Sequence, residues 1–184
     1  MSKINLFEKT LNSKLAWQGT YLKVIRDEVE LPNGKRGTRE FITHPGAALV
    51  IPMLSATKVL MIRQFRYAMK KEFLEFPAGK IDKGESSLQT AKREMLEETG
   101  YEAQTLRFLT TIHPVIGYAD EKIDIYLGEN LIKRGESQLD HNEFLNIEEV
   151  EISELKKFIQ AGDLTDVKTQ IAAFWLEKVL QSGW

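Results

Sequence analysis

Glu94, Glu97 and Glu98 fall in one sector of a helix predicted over residues 86–98, because about 100° of rotation per residue brings positions i, i+3 and i+4 together. Leu88, Ala91 and Met95 occupy the adjoining sector and are expected to face a core. Like charges at these spacings repel. All three glutamates also lie in the C-terminal half of the helix, where the dipole disfavours anions. A bound divalent cation removes the repulsion. Carboxylate oxygens are the hard ligands that Mg²⁺ prefers, and Mg²⁺ keeps waters and bridges substrate phosphates. Taken alone, the three glutamates read at least as well as a solvated acidic face, since Glu is a good helix former.

The residues around them carry more. Gly79, Glu85, Arg93, Glu94, Glu97, Glu98 and Gly100 stand at the spacing G-x5-E-x7-R-E-x2-E-E-x-G, with Met95 and Tyr101 in two apolar slots. At typical residue usage, chance agreement at seven positions is on the order of 10⁻⁸ per starting site. The pattern resembles the Nudix box in every fixed position. That resemblance implies hydrolysis of a nucleoside diphosphate linked to another moiety. It also implies an α+β fold, the α/β/α sandwich around a mixed β-sheet, with Mg²⁺ or Mn²⁺ as cofactor. Glu94 and Glu98 are the implied metal ligands, joined by the main-chain carbonyl of Ala78. Glu97 is a further ligand or an orienting carboxylate, Arg93 pairs with a box glutamate, and Glu85 belongs to the outer shell.

The flanks narrow the resemblance. Leu74-Glu75-Phe76-Pro77-Ala78-Gly79-Lys80-Ile81-Asp82, residues 39–47 and Arg63-Gln64-Phe65-Arg66-Tyr67 all look like the ADP-ribose pyrophosphatase branch. Residues 113–121 are similar to that branch's Pro-Gly-x-x-x-Glu segment, except that Val115 and Ile116 separate Pro114 from Gly117. The likeness spans residues 17–180. It implies ADP-ribose and related nucleoside diphosphate sugars as substrates, cut to a nucleoside monophosphate and a sugar phosphate. GDP-mannose or another sugar nucleotide is the alternative substrate, and a non-catalytic nucleotide-sensing Nudix domain the alternative function. The intact Glu94, Glu97 and Glu98 speak against the second. A homodimer is implied too, because relatives exchange N-terminal strands.

Attack by water on such a linkage needs a proton acceptor. In this branch the base lies on a late loop, which points to residues 139–144 and to Glu143. Glu121 and then Glu97 are its competitors, and His141 is a loop histidine more simply read as solvated. Arg66, at the end of a strand, could fork onto the pyrophosphate. Arg39 could do the same, with Glu40 accepting from a ribose hydroxyl or a base amine. Surface or cross-strand pairing explains these three equally well. Trp17 and Tyr21, placed at the start of the first long strand, are candidates for stacking on the nucleobase, for a core or for a dimer interface.

The elements that must position these residues follow from pattern. Residues 21–31 are rich in β-branched and aliphatic side chains, Pro32-Asn33-Gly34-Lys35 is a turn signal, and 36–43 returns, predicting an N-terminal antiparallel hairpin. Strands are expected at 47–54, 59–67, 106–112, 123–127 and 146–152. Ser86 and Gln89 form a capping box for the acidic helix, and Gly100 stops it. Helices follow at 153–160 and 166–180, the second with Ile171, Phe174, Trp175 and Val179 on one face. The expected division is residues 1–45, a hairpin region that forms the dimer, and 46–184, the catalytic part.

Bulk properties exclude several classes. With 184 residues, 42% apolar and 28% charged, the composition is globular. A formal charge of −2, from 25 Lys and Arg against 27 Asp and Glu, offers no basic field for nucleic acid. That ranks RNA decapping low. No cysteine is present, so disulfides and thiolate metal sites are excluded. Apolar runs are too broken for a signal peptide or a membrane span, and the expected location is the cytoplasm.

Overall fold

The computed structural model describes residues 3–139 and 141–182. The chain divides into two compact units: Met1–Pro45 with Val115–Glu121, and Gly46–Pro114 with Lys122–Trp184.

The first unit is a three-stranded antiparallel sheet of β1 (Lys9–Gln18), β2 (Lys23–Glu30) and β3 (Arg36–Thr43), in that order. The hairpin forms where the Asn-Gly pair stands. Leu31 N donates to Lys35 O, Gly34 N donates to Leu31 O, and Gly34 takes φ 75°. An additional strand, β1, precedes the expected hairpin. Its alternation is interrupted by Asn12 and Ser13, and all ten of its residues are exposed, so no buried face marks it in the sequence. Trp17 therefore lies near the end of β1, and Tyr21 in the turn before β2, not at the start of the first long strand. Val115–Glu121 joins this unit through Tyr118 O, which accepts from Ile42 N, and Ile42 O, which accepts from Asp120 N.

The second unit holds two sheets. One is mixed, in the order β7 (Ala78–Lys80), β4 (Ala47–Pro52), β9 (Ile123–Lys133), β8 (Tyr101–Ile112), with β4 and β9 parallel and the other pairs antiparallel. The other is antiparallel, in the order β10 (Leu145–Glu151), β5 (Lys58–Arg66), β6 (Lys71–Glu75). Strands β6 and β7 were not foreseen. Lys71 and Glu72 make β6 polar at its start, and three residues are too few for a periodicity to register in β7.

Helices cover both faces of β4. All six residues of β4 are buried. Ala48 and Val50 pack with Ala91 and Met95 of α1 (Ser87–Thr99) and with Ala103 and Tyr126. Ala47, Leu49 and Ile51 join the larger cluster, which includes Leu155 of α2 (Ile152–Ala161) and Ala172, Leu176 and Val179 of α3 (Val167–Ser182). A strand covered on both faces reads as a continuous apolar run because neither set of side chains meets water. This is the α+β sandwich around a mixed sheet that the box implied.

The acidic helix has the expected ends. Ser86 Oγ accepts from Gln89 N, Gln89 Oε1 accepts from Ser86 N, and Gly100 ends the helix at φ 73°. Two details of the expected faces change. Leu88 is exposed, while Thr90, Ala91, Met95, Glu98 and Thr99 are buried, so the inner face includes one of the glutamates. On α3, Phe174 is exposed and the inner face is Ala172, Ala173, Leu176 and Val179. Met95 fills the space between α1 and β4, so Met95→Ala should lower the unfolding free energy by about 2–5 kcal/mol in urea denaturation.

Candidate metal-binding and catalytic site

The site is built where the C-terminal half of α1 meets β7. Glu98 is 1% exposed, and its Oε2 accepts from Ala78 N at 3.0 Å. Glu94 lies against Gly79 so closely that a Cβ built there would stand 1.8 Å from Glu94 Oε1. The first glycine of the pattern is thus a requirement for space. The last is a requirement for backbone conformation, and a Cβ at Gly100 would also meet Gly135 O at 2.3 Å.

Arg93 organises the acids. Its Nε and Nη2 fork onto Glu85 at 3.0 and 2.9 Å, and its Nη1 donates to Glu94 Oε1 at 2.8 Å and Glu97 Oε2 at 3.0 Å. Nη2 also donates to Lys80 O at 3.2 Å, which ties the loop before the helix to the helix itself. The Arg93 bonds, then the Thr90 hydroxyl, hold the Glu85 carboxyl down at about 2. Glu85 in turn is the first cause holding the Arg93 guanidinium above its usual range. Arg93 thus pairs with three box glutamates at once.

Glu98 has the opposite balance. Burial pushes its pKa well above the ordinary value, and the charges of Glu94 and Glu143 push it further. The Ala78 N–H and Arg66 offset only part of this. Burial also raises Glu94; Arg93 opposes the shift, while Glu97 and Glu143 add to it. Glu143, on the loop before β10, therefore shares the field of the two glutamates, whereas Glu97 is more exposed and turned to Arg93. Asp140 of that loop lies outside the described residues.

Buried acids with too little positive charge around them fit a hard divalent cation. Among the described residues, no three His, Asp or Glu side chains already stand as a formed metal-holding group. The reason is visible in the pairing: Glu94 and Glu97 are held by Arg93, and Glu98 turns one oxygen to Ala78 N. Cation binding must compete with these bonds.

Arg66 is engaged by a residue that sequence reasoning left without a role. Its Nε and Nη2 fork onto Glu75, both at 2.6 Å. Glu75 is 1% exposed and also accepts from Lys168 Nζ. Lys168 donates to Asp166 Oδ2 at 2.8 Å as well, and Asp166 caps α3 through Thr169 N and Oγ1. Signals existed for both ends of this network. Glu75 is an acid inside the apolar run 73–78, and Asp166-x-x-Thr169 is a capping pattern.

The remaining predicted residues belong to the N-terminal unit. Arg39 forks onto Glu8, and Glu40 Oε1 stands 3.6 Å from Arg26 Nε, so both take part in the surface pairing weighed for them. Trp17 and Tyr21 are exposed. Glu121 Oε1 lies 3.7 Å from His44 Nε2, and burial, then Glu121, raises the Tyr21 hydroxyl pKa. A test of the Arg93 hub follows from the depressed Glu85. Because its folded value lies below the unfolded one, its contribution is present above about 4.5 and is lost as pH falls through about 2. The melting-temperature gap between wild type and Glu85→Gln should therefore shrink as pH is lowered over that window, and a constant gap would contradict the assignment.

Residues 43–174 match the NUDIX domain, and residues 8–42 match the nucleoside diphosphate sugar hydrolase N-terminal domain. The chain is 38% identical over 171 residues to a methanol dehydrogenase activator of Bacillus methanolicus, covering 92% of each chain. It is 36% identical over 174 residues to an ADP-ribose pyrophosphatase of Bacillus subtilis (strain 168), covering 94% of each. A crystal structure of an ADP compounds hydrolase superposes with a TM-score of 0.88 at 22% identity, over 100% of this chain and 98% of that one, and so shares the fold. With its box intact and 94% of its length matched by the B. subtilis relative, this chain belongs to the Nudix family of pyrophosphohydrolases.

Proposed function

We propose that the chain hydrolyses the pyrophosphate linkage of ADP-ribose and related nucleoside diphosphate sugars with Mg²⁺, giving a nucleoside monophosphate and a sugar phosphate. The observation that carries this reading is Glu98, buried against β7 with the Ala78 N–H as its donor and sharing the field of Glu94 and Glu143, while Arg93 is divided among Glu85, Glu94 and Glu97. The substrate class rests on the likeness to the B. subtilis pyrophosphatase along almost the whole chain. The absence of cysteine accords with a cytoplasmic address.

In this reading Glu94, Glu98 and the Ala78 carbonyl hold the cation, with Glu97 as a further ligand once released from Arg93. A bound Mg²⁺ would neutralise the charge of the pyrophosphate and lower the pKa of an attacking water. The water oxygen forms a bond to one phosphorus, the bridging P–O bond breaks, and the departing phosphate keeps the bridging oxygen. Glu143 takes the water's proton. It is preferred to Glu97 because Arg93 occupies Glu97, and to Glu121 because Glu143 acts electrostatically on both Glu94 and Glu98. Arg66 binds a phosphate oxygen.

A second copy of the chain completes the molecule. Val29 is the one buried residue described in the N-terminal unit, while β1 exposes Leu11, Leu15 and Trp17. A three-stranded sheet needs a covered apolar face to be stable, and an exposed apolar stripe of this kind marks an interface. Leu15→Asp should shift the protein from dimer to monomer in sedimentation velocity; a wild-type monomer would end the dimer reading.

The central test is a nucleotide-sugar panel analysed by HPLC with and without EDTA. ADP-ribose should be cut to AMP and ribose 5-phosphate only with the cation present, and much faster turnover of GDP-mannose would overturn the substrate choice. Glu98→Gln should lower kcat by orders of magnitude while raising the melting temperature of the cation-free protein, because the cost of burying a carboxyl among like charges is removed. Glu143→Gln should lower kcat and leave the rise in melting temperature on adding Mg²⁺ intact. Near-full activity of that variant would return the base to Glu121 or Glu97. The likeness to the methanol dehydrogenase activator favours a second reading, activation of another enzyme, which Glu98→Gln should abolish as well if it depends on hydrolysis.

A further inference from the structure

Glu75 is buried, ionisable and outside the box, and the reaction as derived does not use it. Its carboxylate accepts two bonds from Arg66 and one from Lys168. Lys168 is held by Asp166, and Asp166 is held by the first turn of α3. The neighbouring residue is pinned to the same turn, since Phe76 N donates to Thr169 Oγ1 at 3.3 Å. Two residues further on, Ala78 N donates to Glu98. One short segment thus connects the α3 terminus, Arg66 and the buried box glutamate.

The charges in this network cancel: Arg66 and Lys168 against Glu75 and Asp166. A purely structural network would be expected to enclose its arginine. Arg66 instead has a side chain 43% exposed, and its Nη1 makes no hydrogen bond among the described residues. Its Nε–Nη2 edge is fixed by a rigid fork, so the direction of Nη1 is fixed too. Retaining a buried carboxylate where an apolar side chain could fold as well needs a purpose.

We infer that Glu75 is a positioning residue for substrate binding: clamped by Lys168 and α3, it holds Arg66 so that the open Nη1 edge receives a phosphate oxygen of the nucleoside diphosphate. This deepens the proposed function and rests on its assignment of Arg66 to the phosphates. Preorganising the guanidinium saves the entropy of ordering a long side chain when substrate arrives.

The test is a double-mutant cycle on the full chain, reading the Kd of ADP-ribose by calorimetry in EDTA, so that binding is separated from hydrolysis. Glu75→Gln and Arg66→Ala should each weaken binding roughly tenfold, and the double variant should bind no worse than Arg66→Ala alone, the signature of coupled residues. Glu75→Asp, which keeps the charge for Lys168 but falls short of Arg66, should match Glu75→Gln and serves if that variant does not fold. Wild-type Kd in the Glu75 variants, multiplicative loss in the double variant, or failure of both Glu75 variants to fold would overturn the inference. Wild-type Kd in Arg66→Ala would overturn it while leaving metal-dependent hydrolysis standing. Failure of the wild-type chain either to bind or to cut ADP-ribose would sink the functional reading and this inference together.

Discussion

A carboxylate that loses its water must find positive charge or a proton. Glu98 meets that condition at the end of α1, where the helix dipole is also against it. One backbone N–H, from Ala78, is its hydrogen-bonding compensation. The nearby guanidiniums are committed, Arg93 to Glu85, Glu94 and Glu97, and Arg66 to Glu75. The deficit is the property that fits the region to a divalent cation. It also explains why neighbouring positions are so constrained. Gly79 must lack a side chain for Glu94 to sit where it does, and Gly100 must turn the chain back immediately after the acid.

The fold supplies the enclosure. β4, buried on both faces, is the plane against which α1 packs through Ala91 and Met95, and β7 pairs with the same strand. The inner face of α1 is therefore fixed relative to Ala78 and Gly79 by hydrogen bonds of one sheet. Burial of Glu98 follows from that geometry and not from any apolar preference of its own.

Much of this was legible in the sequence where chemistry demands a particular residue type. The capping box, the Asn-Gly turn, the glycine stop and the box spacing all have local causes, and all appear where expected. What stayed hidden depends on tertiary neighbours. Leu88 and Phe174 sit at positions a helical wheel assigns to the core, but contact with the sheet selects a slightly rotated face containing Glu98 on one helix and alanines on the other. β1 hides because its residues are all exposed. The partners of Arg66 hide because Glu75 meets it only when β5 pairs with β6, and Lys168 only when the start of α3 packs against that hairpin.

The parallel pairing of β4 with β9 sets an order of assembly. Ala47 lies opposite Ile123, and every residue of the intervening chain, including the entire acidic helix, must be synthesised before that edge can close. Until then β4, the most apolar strand in the chain, has an unpaired edge and an incompletely covered face. Parallel contacts between distant segments form slowly because a long loop must first be closed. The nascent chain on the ribosome thus passes through a stage in which its central strand is open to aggregation, a cost of the same topology that later shields Glu98 from water.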